Sequence, residues 1–145
     1  MHFVFGGAFN GKRKWIKKQY DNQITAWYSA YENPIKVPTL VKGDQYIVIE
    51  GIERYIKELI DSGKTVDEVC CYFNEQLQAW RAENLLANII VIGTEIGKGI
   101  VPLNQNDRSW RDACGYVYQM LVAEAETVDR IWYGISNRIK EDIKE

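Results

Sequence analysis

Histidine is almost missing from this chain: among 145 residues there is one, His2. Cysteine and proline are scarce too, at three each. Two of the cysteines, Cys70 and Cys71, are adjacent, and Cys114 stands alone. That pattern makes neither a disulfide framework nor a metal-ligand spacing, and it suits a reducing compartment. Neither sign of charge dominates, since 18 Lys and Arg face 20 Asp and Glu, a formal net charge of -2. A near-neutral balance gives no electrostatic reason to bind nucleic acid. No apolar run reaches the roughly 18 residues of a membrane span. The opening residues Met1 to Gly7 are too few for a signal-peptide apolar region and lack a basic leader, so a cytoplasmic protein is expected. What the chain does have is apolar and aromatic bulk: 46% hydrophobic residues, with five Trp and nine Tyr. This suits one domain over residues 1–145 with one substantial core. The aromatics fill that core or a subunit interface.

Strand and helix patterns alternate along the chain. His2 to Phe5 is a short apolar run ending at Gly6-Gly7 and predicts a buried first strand. Lys12 to Tyr20 follows as a basic helix. Ile24 to Tyr31 is aromatic and β-branched, as a strand requires. Pro34 and Pro38 then break the pattern and predict a loop. Tyr46 to Ile49 is a third strand, ending at Glu50-Gly51. Ile52, Tyr55, Ile56, Leu59 and Ile60 recur at helical spacing. Thr65 to Glu68 fits a capping box, opening a helix with a stripe of Val69, Phe73, Leu77 and Trp80. Asn88 to Gly93 is branched throughout and implies a central parallel strand buried on both faces. A loop with Gly97, Gly99 and Pro102 is expected next. A helix over 107–126 and a strand over 128–133 follow, and the charged 136–145 is expected to be helical. The alternation argues for an α/β fold, a mostly parallel sheet with helices on both faces.

Gly6-Gly7-Ala8-Phe9-Asn10-Gly11-Lys12-Arg13 nearly satisfies GxxxxGK[ST]. In that motif, glycines let backbone N–H groups converge on phosphate oxygens, the following helix adds its positive end, and the lysine reaches the β- and γ-phosphates. The loop sits where the motif belongs, after the first strand and before a helix. Its last position departs. A Ser or Thr hydroxyl there would ligate Mg²⁺, whereas Arg13 offers no acceptor and carries a fixed positive charge. Either Arg13 points away and metal binding is weak, or its guanidinium binds phosphate in the metal's stead. A loop that has lost its ligand is the remaining alternative.

A second segment narrows the class. Ile89-Ile90-Val91-Ile92-Gly93-Thr94-Glu95-Ile96-Gly97-Lys98-Gly99-Ile100-Val101-Pro102 resembles the strand and Asn-Glu-Val-Gly-x-Gly-Ile-Val-Pro motif of the adenosylcobinamide kinase / adenosylcobinamide-phosphate guanylyltransferase family, with Thr94 and Ile96 departing. Arg108-Ser109-Trp110-Arg111-Asp112-Ala113-Cys114-Gly115 resembles that family's Arg-x-Phe-Arg-Asp-x-x-Gly. Gln119 falls at its Asn-Gln, and Gly134 to Lys140 resembles its Gly-Ile-Pro-x-x-Leu-Lys ending. The match over 89–140, with the loop at 6–13, brackets the chain.

The resemblance implies a RecA-like P-loop fold and a trimer. It also implies an enzyme that phosphorylates the aminopropanol hydroxyl of a corrinoid with ATP or GTP and then transfers GMP through a guanylylated histidine. Several residues depart from it. Between Tyr31 and Gln45 the chain is too short for the family's histidine-bearing helix. His2 reads as a terminal surface residue, so the guanylyltransferase half is expected to be absent. At the third strand end, Glu50 replaces the family's Asp. It either serves a metal or nucleophile or caps the next helix. Glu95 matches the family motif directly. Lys12, Glu50 and Glu95 are therefore the expected catalytic group, with Glu50 and Glu95 the candidate metal ligands and Mg²⁺ in doubt because of Arg13. Arg111 and Asp112 match family positions too, as chemistry or as a helix-surface pair or subunit contact. The expected partners are a nucleotide, a corrinoid or other small acceptor, and further copies of the chain. The reading is a kinase-like protein, or else a catalytically silent nucleotide- or corrinoid-binding paralogue.

Overall fold

In a computed structural model of the chain, residues 1–32, 45–96 and 104–142 are described. The loops expected around Pro34 and Pro38 and around Gly97, Gly99 and Pro102 lie outside the described residues.

Branched and aromatic runs become strands. β1 is His2–Gly6, β2 Ile24–Ser29, β3 Tyr46–Glu50, β4 Ile89–Thr94, β5 Thr127–Trp132 and β6 Ile135–Glu141. They form one six-stranded sheet in the order β2-β3-β4-β1-β5-β6. The first five are parallel, and β6 alone runs antiparallel, against β5. β4 lies between β3 and β1, with its first five residues buried.

Alternation along each strand divides the core in two. Phe3, Ile47, Ile49, Ile89, Val91 and Val128 point to one face, where they meet α2 (Ile52–Asp61), α3 (Val66–Ala82) and α4 (Gln105–Glu124). Val4, Val48, Ile90, Ile92 and Ile131 point to the other, where Ile16 of α1 (Lys12–Tyr20) closes over them. The period of two on a pleated strand requires this division. Each fully buried large aliphatic side chain contributes roughly 1.5–3 kcal/mol. Helices thus cover both faces of a mostly parallel sheet, in an α/β fold of the P-loop NTPase kind. The Thr65 capping box forms as its sequence implies: the Thr65 hydroxyl accepts from Glu68 N at 3.1 Å, and the Glu68 carboxylate accepts from Thr65 N at 3.2 Å.

Two expectations are overturned. The end of the chain is not helical over 136–141 but forms β6. Tyr133 and Gly134 both have positive φ, 49° and 78°. They join Trp132 to Ile135 as a two-residue turn, whose twist suits a β-hairpin. The charges that suggested a solvated helix instead decorate an exposed edge strand. His2, expected at the surface, is 8% exposed. Its Nε2 lies 2.6 Å from Asp129 and its Nδ1 2.5 Å from the Tyr20 hydroxyl. Arg138 of β6 holds the same Asp129 through two hydrogen bonds of 3.2 Å. A parallel neighbour and a hairpin partner therefore seal the start of β1. Among the described residues, no helix is long and apolar enough to cross a membrane.

Candidate functional site

The carboxyl ends of β1, β3 and β4 open into one cavity, the place where α/β sheets receive ligands. Its volume is about 1300 Å³. Residues 7–11 form the turn between β1 and α1, and the rim of the cavity includes Ala8, Phe9, Asn10, Gly11, Lys12 and Arg13. Gly6 closes β1 against its neighbour so tightly that an added Cβ would meet the Ile131 carbonyl oxygen at 2.2 Å. Gly7 faces the Asn10 side-chain amide, which an added Cβ would meet at 2.8 Å. Gly11 caps α1 with φ 85°, a conformation glycine adopts without strain. The hairpin braces the loop, for Gly134 N donates to Asn10 O at 2.7 Å. Phe9, at the loop's tip, is 103% exposed.

Lys12 curls over this loop and donates to Gly7 O at 2.7 Å and Gly6 O at 3.4 Å. Burial lowers its pKa, while Glu53, Glu50 and Glu95 pull it back up. Those carbonyls hold the ammonium at the mouth of the cavity. Arg13, Lys14, Lys17, Arg54 and Lys57 also line the cavity. With Lys12 they present six cations to two lining carboxylates, Glu50 and Glu53, so the cavity favours a polyanion.

Arg13 neither points away nor stands free. Its Nε donates to Glu50 Oε2 at 2.9 Å, and its Nη2 donates to Glu50 Oε1. The guanidinium lies 5.6 Å from the centre of the Trp27 ring, which Lys17 Nζ shares at 5.4 Å. Burial raises the Glu50 carboxyl, but the Arg13 hydrogen bonds and charge, with further lowering from Ser29 and Trp27, together offset this and hold it below the ordinary carboxylate value. Glu95 is engaged elsewhere. Its carboxylate accepts from Arg130 at 3.0 and 3.3 Å and lines a smaller cavity of about 480 Å³ with Arg111, Asp112, Tyr118 and Gln119. Its backbone N–H still ties β4 to β1 through Gly6 O at 2.8 Å. Glu50 and Glu95 thus face different cavities, each held by a different arginine. Arg111 and Asp112 are 3.8 Å apart as neighbours on α4.

These residues do not fit the Mg²⁺ of an ordinary P-loop. The position of the ligand hydroxyl holds a guanidinium, and the nearby carboxylate is hydrogen-bonded to it. Among the described residues, no group of three or more His, Cys, Asp and Glu side chains could hold a metal ion.

Glu53 is the site residue that the sequence pattern did not single out. It stands in the first turn of α2 and is 6% exposed. One carboxylate oxygen accepts from Thr94 N at 2.9 Å, and the other accepts from the Tyr31 hydroxyl. Trp110 Nε1 donates to Glu53 O at 2.8 Å. Burial and this carboxylate together raise the Tyr31 phenol above its ordinary value. The available signal was spacing: an acid three residues after a strand-end acid, across a one-residue turn, comes back to the same mouth.

Comparison with known proteins fits this arrangement. The family model described as cobinamide kinase / cobinamide phosphate guanyltransferase matches residues 13–139. The bifunctional adenosylcobalamin biosynthesis protein CobU of Salmonella typhimurium is 41% identical over 54 residues. That stretch is 37% of this chain and spans 30% of the relative's length.

Proposed function

The chain belongs to the cobinamide kinase / cobinamide phosphate guanyltransferase family, and on that premise we propose that it binds a purine nucleoside triphosphate, ATP or GTP, and acts as a kinase-like protein on a corrinoid or related hydroxyl acceptor. The observation that carries this reading is Lys12 on its glycine loop at the mouth of a large cationic cavity. In such a transfer the acceptor oxygen attacks the γ-phosphorus, the bond to the β-bridging oxygen breaks, and the nucleoside diphosphate leaves. Lys12 stabilises the charge on the transferred group. Glu53 and Glu50 are the carboxylates beside it, and among the described residues Glu53 is the one not ion-paired. The cavity has room for nucleotide and part of an acceptor together.

Guanylyl transfer is not part of the proposal. The sole histidine has both ring nitrogens engaged, by Asp129 and Tyr20, at the opposite end of β1 from the loop. The second reading, a silent nucleotide- or corrinoid-binding paralogue, is favoured by the Arg13–Glu50 pair. That pair occupies the groups through which a P-loop enzyme holds its metal.

Titration with ATP and GTP, with phosphorylation of cobinamide as a second readout, separates the readings. We expect the natural protein to bind triphosphate and Lys12→Ala to weaken it by about tenfold or more. Transfer to cobinamide supports the kinase, and binding without transfer supports the silent paralogue. Labelled GTP should leave no acid-labile adduct. An adduct lost in His2→Ala would restore the guanylyltransferase half.

A further inference from the structure

We infer that Arg13, clamped on Glu50, takes the place of the divalent cation, so that this site receives nucleoside triphosphate free of metal. The inference rests on the nucleotide reading above and deepens it. In a P-loop, the hydroxyl after the lysine and a strand-end carboxylate face one ion, which in turn faces the phosphates. Here the same two positions are spent on each other. Glu50, 5% exposed, accepts two hydrogen bonds from a side chain that already carries a positive charge. A metal ion would have to break that bidentate pair and then sit beside a guanidinium.

A phosphate meets no such obstacle. A guanidinium has five N–H donors, and Glu50 takes two of Arg13's. The other three stay with a side chain that is 47% exposed and lines the cavity next to Lys12. One edge of the group holds the carboxylate while the rest is available to phosphate oxygens, which is the bridging task an ion performs. The fork geometry suits this, because guanidinium binds carboxylate and phosphate in the same planar manner. The Trp27 ring faces the guanidinium, with its centre 5.6 Å from the guanidinium carbon, and adds a cation–π attraction. Lys14 and Lys17, on the same helix, add the charge that a metal would otherwise supply.

Calorimetry with ATP, GTP and inorganic tripolyphosphate, each in EDTA and in excess Mg²⁺, tests this on the full chain. The natural protein should bind in EDTA, and Mg²⁺ should leave that binding unchanged or weaken it. Arg13→Ser should lose about tenfold in EDTA and recover when Mg²⁺ is added. Circular dichroism checks that the variant folds. Should Arg13→Ser fail to fold, Glu50→Gln decides. It keeps the cation and frees its donors, so binding in EDTA should hold or tighten, and its loss counts against the inference. Binding by the natural protein that appears only with Mg²⁺ overturns the inference and leaves the nucleotide reading standing. No binding under either condition overturns both.

Discussion

Glu50 is a buried carboxylate whose ionised form is held by Arg13 first and by Ser29 and Trp27 beside it. Burial pushes its pKa up, and these partners together, Arg13 foremost, bring it below the ordinary value. A depressed folded-state value contributes stability above the unfolded carboxyl pKa, lost as pH falls through the folded one. Arg13→Ala removes the hydrogen bonds and charge that lower this value most and leaves only Ser29 and Trp27 to oppose burial, so the folded-state value rises and the stability gained above the carboxylate range shrinks. The gap between the two proteins should therefore widen from pH 4 to pH 7, reaching about 1–3 kcal/mol in denaturant unfolding. A gap that does not change with pH would show that Glu50 ionises independently of Arg13. His2 gives a second test. Burial lowers its pKa from 6.5, against the opposing pull of Asp129, while Arg138 and the N-terminus add to the lowering. Arg138 already neutralises Asp129, so a neutral imidazole, donating from Nε2 and accepting from Tyr20 at Nδ1, suits the cluster. The folded state then binds fewer protons than the unfolded one below the ordinary value, so stability should fall as pH drops through about 6.5. Melting curves between pH 5 and 8 should show this slope, and it should flatten in His2→Gln.

Elements show where pattern reading succeeds and where it stops. The apolar runs at 46–49 and 89–93 lie on strands because each face of the sheet has its own helices to pack against. The capping residues at Thr65 and Glu68 are local chemistry and were legible for that reason. The hairpin was not. Ile135 and Ile139 stand four apart, as on a helix, and only the turn before them reveals otherwise. Tyr133 is an unusual choice for a left-handed position, so Gly134 was the sole visible signal. The Arg13–Glu50 and Glu95–Arg130 pairs were illegible for another reason: each joins residues from different strands or helices, which no spacing along the chain predicts. Glu95 lay at the expected strand end but faces the smaller cavity, because Arg130 on β5 holds it. The turn yields a prediction of its own. Tyr133→Asn should stabilise the protein by a few tenths to about 1 kcal/mol, since Asn tolerates positive φ. A fall in the unfolding midpoint would mean that the Tyr133 ring is needed where it is.

At the scale of the whole molecule, the apolar surface is unevenly placed. Of the eight large apolar side chains exposed among the described residues, Phe9, Trp132, Tyr133, Ile135 and Ile139 lie on the loop at 7–11 or on the hairpin that braces it, while Tyr28, Tyr31 and Tyr116 lie elsewhere. Exposed aromatics gathered at one sheet edge are a usual origin of self-association. We expect light scattering to show an oligomer, a trimer by family resemblance, and Trp132→Lys with Ile135→Lys to shift it toward monomer. Monomer alone at high concentration would remove the basis for this expectation. The brace itself sets an order of events in synthesis. β1 precedes the other described strands, yet its two neighbours are residues 89–94 and 127–132, and its loop leans on Gly134. Loop closure over such separations is slow compared with local helix formation. A nascent chain therefore carries β1 unpaired until residues 89–94 have left the ribosome, and without its second neighbour until 127–132 have followed. A stalled or clipped chain ending before Gly134 should hold most of the helices and lack the brace on the loop at 7–11, leaving it a client for chaperones.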